Sequence, residues 1–168
     1  MEGVQVSPSH IAAALGALLG LTACGDKDSG ALEGSVTPLL DLRYQRSEAR
    51  VGEGELSVSF LQDQGAGADT VLKVSARVDD MLPEGYTDSL DIDLAQVLDN
   101  GAQRGTVGRS VLDEPVRAFP KLARGNLFVR TIPQPGSRVS GEFNVTFVNG
   151  TDVYSGRTIF GRFEATVP

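Results

Sequence analysis

From residue 40 onward, apolar and polar residues alternate with a period of two almost everywhere, which is the pattern of strands with one buried face. Leu40, Leu42 and Tyr44 alternate with Asp41, Arg43 and Gln45. Leu56, Val58 and Phe60 alternate with Ser57 and Ser59. The glycine-rich stretch Asp63 to Asp69 then leads into Leu72, Val74, Ala76 and Val78, alternating with Lys73, Ser75 and Arg77. Two alternating runs about a glycine-containing turn predict a hairpin. Asp79 to Asp88, around Pro83-Glu84-Gly85, reads as a loop.

Leu90, Ile92 and Leu94 alternate with Asp91 and Asp93, while Leu90, Leu94, Val97 and Leu98 also fit a helical stripe. The strand is favoured because Ile92 falls off that stripe, and because Asp99-Asn100-Gly101 is a hairpin signal leading into Thr106 to Leu112. Asp113 to Gly125, with Pro115 and Pro120, is expected to be the longest irregular connection, and Leu127 to Ile132 a strand ended by Pro133-Gln134-Pro135-Gly136.

The last third carries the strongest alternation. Val139, Phe143, Val145 and Phe147 oppose Ser140, Glu142, Asn144 and Thr146, Asn149-Gly150 supplies a turn, and Ile159, Phe163, Ala165 and Val167 oppose Phe160, Arg162, Glu164 and Thr166. These two strands are expected to pair, and they share a Gly-x-Phe step at Gly141-Glu142-Phe143 and Gly161-Arg162-Phe163. A strand glycine allows close approach, with the aromatic beyond it packing inward. About eight short strands with few helical candidates predict an all-β fold, an antiparallel β-sandwich or small barrel, with the strand order left open.

The N-terminal region has a different character. Ile11 to Ala23 is an uncharged, mostly apolar run of 13 residues. As a helix it would measure roughly 20 Å, short of the roughly 30 Å hydrocarbon core of a bilayer. Length and position match the apolar core of an export signal, although residues 1–10 hold no Lys or Arg. A buried helix ending in a core cysteine is the alternative reading. The run closes on Leu21-Thr22-Ala23-Cys24, which resembles the lipobox of bacterial lipoproteins.

That resemblance implies a diacylglyceryl group on Cys24, cleavage before it, and acylation of the new amino group. It divides the chain into a signal peptide (1–23), a lipidated Cys with a flexible tether (24–34, rich in glycine), and one β-rich domain (35–168). Gly25, where Asp would favour inner-membrane retention in enteric members of the family, makes the outer membrane the expected address.

Composition narrows the function. The chain carries 15 Lys and Arg against 22 Asp and Glu, a net charge of −7, and offers no basic patch for nucleic acid. Residues 24–168 contain no histidine, and Cys24 is the chain's single cysteine. Ser-His and Cys-His catalysis therefore lack a base, zinc sites built on His and Cys lack ligands, and no disulfide forms within the chain.

Carboxylates remain, and Asp79, Asp80, Asp88, Asp91 and Asp93 are the densest set. They are the weak candidates for a metal or for acid–base chemistry. Their spacing is not that of an EF-hand loop, and Asp91 and Asp93 sit at outward strand positions where solvated charge is ordinary. The aromatics Phe143, Phe147, Tyr154, Phe160 and Phe163 would line a ligand mouth or fill the core. Tyr154 and Phe160 lie on the opposite parity from Phe163 and mark a partner surface if both are exposed.

The expected protein is a non-catalytic lipoprotein of a Gram-negative-type envelope. It is anchored to the membrane through Cys24, needs no cofactor, and uses its β-domain to bind or scaffold an envelope protein. The alternatives are a periplasmic barrel holding a small ligand or lipid, and a hydrolase working with Asp and Glu alone.

Overall fold

A computed structural model of the chain describes residues 30–82, 88–115 and 119–168. They form ten strands and, among the described residues, no helix: β1 (Gly30–Ala31), β2 (Arg43–Tyr44), β3 (Arg46–Gly52), β4 (Glu55–Gln64), β5 (Gly67–Arg77), β6 (Leu90–Asp93), β7 (Gly105–Ser110), β8 (Leu122–Val129), β9 (Arg138–Phe147) and β10 (Thr158–Thr166). β1 and β2 make a two-stranded sheet, and the other eight form one sheet in the order β6-β8-β9-β10-β3-β4-β5-β7. The all-β expectation holds. The large sheet is mixed rather than purely antiparallel, because β10 runs parallel to β3 at Thr166 and Glu48, and it is not closed into a barrel.

The sheet curls around a single core. β4 and β9 are separated by three ladders, about 14 Å along a flat sheet, yet the rings of Phe60 and Phe143 lie 5.6 Å apart, and Phe60 also meets Phe163 at 6.2 Å and Tyr44 at 5.0 Å. Ladder irregularities at Phe60/Leu61, Thr70/Lys73 and Leu122/Arg124 provide the bends, since a bulge adds a residue on one strand and increases local twist. These aromatics interlock, so the interior between β4, β9 and β10 is filled with side chains.

The β4–β5 hairpin turns at Gly65-Ala66, with Gln64 paired to Gly67 and Gly65 at φ 58°, the positive φ that a primed hairpin turn asks of its first central residue. β9 and β10 pair over nine positions from Thr146–Thr158 to Arg138–Thr166. The residues expected inward on both strands, from Val139 to Val167, are buried.

Several expectations are corrected. Asn100-Gly101 does form a tight turn, closed by Leu98 N–H to the Ala102 carbonyl at 2.9 Å, but β6 and β7 do not pair with each other. They are the two edges of the sheet, paired to β8 and β5. Asn149-Gly150 belongs to a ten-residue loop, 148–157, instead of a tight turn. β8 begins at Leu122, inside the stretch expected to be irregular. β3 had no clear hydrophobic signal, because its inward positions are the small residues Ser47 and Ala49 between Arg46, Glu48 and Arg50.

Residues 30–34, expected to belong to the tether, are folded. Leu32 is 2% exposed, its N–H donates to the Leu42 carbonyl, and Glu33 exchanges backbone hydrogen bonds with Phe160 at 3.0 and 2.8 Å. This segment fills the gap left because β10 and β3 touch at one pair only.

Candidate functional site

The acidic residues singled out in the sequence do not converge. Asp80 accepts two hydrogen bonds of 2.6 Å from Arg104. Asp93 accepts from the Ala95 N–H at 2.9 Å, capping a turn, and Asp91 accepts from the Asn126 side chain. Asp79 and Asp88 are exposed. Among the described residues, no group of three or more acidic, histidine or cysteine side chains could hold a metal ion. Cys24 lies outside the described residues.

Two arginines invisible to the sequence reading organise this half of the molecule. Arg104 is 4% exposed and donates to Asp80, to the Arg77 carbonyl at 2.8 Å and to Gln96 Oε1 at 2.8 Å. It ties the end of β5 to the loop that follows β6. The hydrogen bonds from Arg104 hold the Asp80 carboxyl below its ordinary range, while burial works slightly against them.

Arg109, on the inward parity of β7 with Val107, donates to Glu114 through Nε and Nη2 at 2.7 Å each, and through Nη1 to the carbonyls of Val71 at 2.8 Å and Asp41 at 3.1 Å. A charge at an inward strand position was the one available signal for it, since such a charge needs buried partners.

Arg109 stands at the rim of a cleft of about 290 Å³ lined by Leu39, Leu40, Glu114, Phe119 and Tyr154. The cleft opens beside the β7 edge, where the curled sheet stays unclosed. Tyr154 is 4% exposed and packs on Phe119 at 4.9 Å, which in turn stacks on Phe147 at 5.1 Å. Phe160, by contrast, is 43% exposed on the outer face of β10. The two residues therefore do not form one exposed surface: the loop 148–157 folds Tyr154 inward, whereas parity leaves Phe160 outside.

Chemically, the cleft can receive an apolar group against Leu40 and the Phe119 and Tyr154 rings. Its cation is committed to Glu114 and two carbonyls, and neither a histidine nor a cysteine stands in it. Among the described residues, no helix is long and apolar enough to cross a membrane. No family model matches the chain, and no curated protein or solved structure matches it either.

Proposed function

We propose that this chain is an exported lipoprotein, held to the cell envelope through acylated Cys24, whose curled β-domain is a non-catalytic binding or scaffolding module. The observation that carries the reading is the Leu21-Thr22-Ala23-Cys24 motif at the end of an uncharged apolar run. Each buried acyl methylene adds about 0.8 kcal/mol of membrane affinity, so several chains hold a domain that one chain would hold only transiently.

The non-catalytic part is supported by the chemistry available: residues 24–168 have no histidine, and Asp80, Asp91 and Asp93 are spent on Arg104, Asn126 and a turn. Gly25 supports the outer membrane as the address, with an envelope protein as partner.

The test is Cys24→Ser in the native host. The wild-type chain should sediment with membranes and, by intact mass, begin at an acylated Cys24. The variant should move to the soluble fraction or retain residues 1–23. Unchanged fractionation of the variant would remove the anchor from the account.

A further inference from the structure

The place where the chain enters the fold limits how the domain can sit. Gly30 is paired with Tyr44, and residues 25–29 are all that separate it from Cys24. Six peptide steps reach at most roughly 22 Å. A domain of this size has a radius of gyration of about 14 Å. Anchored through Cys24, it cannot turn freely, and the side that carries Gly30 stays nearest the bilayer.

On that side the segment borders residues 37–43 on one flank and the outer face of β8, β9 and β10 on the other. Ala31 and Glu33 line a groove there together with Asn144, Phe160 and Arg162. Tyr44, the partner of Gly30, lines the adjoining groove with Phe128 and Arg130. The face combines an exposed and a half-buried phenylalanine with Arg130 and Arg162 and with the carboxylates of Glu33, Glu142 and Glu164. Glu142 is taken up by Arg162 at 3.3 Å, and Arg130 has no acidic partner among the described residues.

Aromatic rings and long cationic side chains suit the headgroup layer, where the ring sits at the boundary and the guanidinium meets phosphate. We infer that this β8–β9–β10 face rests on the phospholipid surface, with Phe160 and Phe128 at headgroup level and Arg130 directed to the phosphates. The inference rests on the lipid-anchored reading above. The tether, more than charge, sets the contact, because the chain as a whole is acidic at −7.

Acylation blocks the single native cysteine, so an introduced thiol is unique. Asn144→Cys reports on the proposed face, and Glu33→Cys is the second reporter should the first variant not fold. Thr106→Cys, exposed on β7 four ladders from β10, reports on the opposite wall. Each is labelled with a small fluorophore in membranes carrying a nitroxide on the phospholipid headgroup. Quenching at position 144 or 33 should exceed that at 106 by at least about threefold and should persist in high salt. Equal quenching, or stronger quenching at 106, overturns the face assignment while leaving the anchor standing. Labelling of Cys24 in the wild-type chain overturns the anchor, and this inference with it.

Discussion

Gly141 and Gly161 show how two similar residues can do unequal work. In the β9–β10 ladder Gly141 stands opposite Phe163 and Gly161 opposite Phe143, so the repeated Gly-x-Phe step becomes a reciprocal arrangement in which each ring lies over the partner strand's glycine. A side chain at either site would displace that ring or what lies behind it. A Cβ at Gly141 would clash with the Phe128 carbonyl oxygen and come within 2.6 Å of Phe163 Cζ, whereas at Gly161 the nearest atom is the terminal Leu32 Cδ2 at 2.5 Å. Backbone cannot yield as a leucine methyl can. Gly141→Ala should therefore cost about 3 kcal/mol and Gly161→Ala about 1 kcal/mol, by the cost of overpacking a filled site. Urea unfolding of the two variants measures the difference, and equal losses would show that the Phe128 carbonyl yields as readily as the Leu32 methyl.

Among the elements, the segment that begins with β1 departs most from expectation. A glycine-rich, polar stretch without hydrophobic period reads as a tether, and Leu32 alone carries no periodicity. The structure makes it a wedge between β10 and the 42–44 segment, with Leu32 and Val36 buried and Arg157 donating to the Ser35 carbonyl at 2.8 Å. Leu32→Ala should lower stability by about 2–4 kcal/mol, as for other buried leucines, measured as a shift in the urea midpoint with unchanged slope. A tether residue would leave the midpoint where it was. The long β9–β10 pair and the β4–β5 hairpin were legible because alternation is strong and the strands are adjacent in sequence. The Asn100-Gly101 turn was legible only as a turn, since what flanks it is decided by the distant strands β5 and β8.

For the whole molecule, three carboxylates held below their ordinary range, Asp41, Asp80 and Glu55, link stability to acid, and the two paired with arginine are the simplest to test. Hydrogen bonds from the Arg43 side chain and backbone lower the Asp41 carboxyl from 3.8 to about 2, and Arg104 lowers that of Asp80. Both groups bind protons less readily folded than unfolded. Their contribution is thus complete above the unfolded value of 3.8 and fades as pH falls toward the folded one. The urea midpoint should decline as pH drops from about 4 to about 2, and Asp41→Asn combined with Asp80→Asn should flatten that decline. Identical slopes in wild type and double variant would show that these pairs add nothing. No histidine, the side chain that ordinarily titrates between about pH 5 and 8, lies among the described residues.

The sequence by itself determined the all-β class, the inward sets of β2, β4, β5, β6, β9 and β10, and the absence of histidine and of any further cysteine from residues 25–168. Alternation, turn residues and composition are local properties, and each can be read without knowing what packs on what. It also holds the lipobox-like motif, which lies outside the described residues. Only the tertiary structure decided that Tyr154 is core and Phe160 surface, that β6 and β7 are opposite edges, that β3 exists with small inward residues, that residues 30–34 belong to the domain, and that Arg104 and Arg109 are buried among acceptors. Each of these depends on a partner far away in the chain. The curl of the sheet brings Phe60 to Phe143 and leaves a cleft beside β7, and curvature is a sum over all ladders and bulges that no single stretch of residues displays.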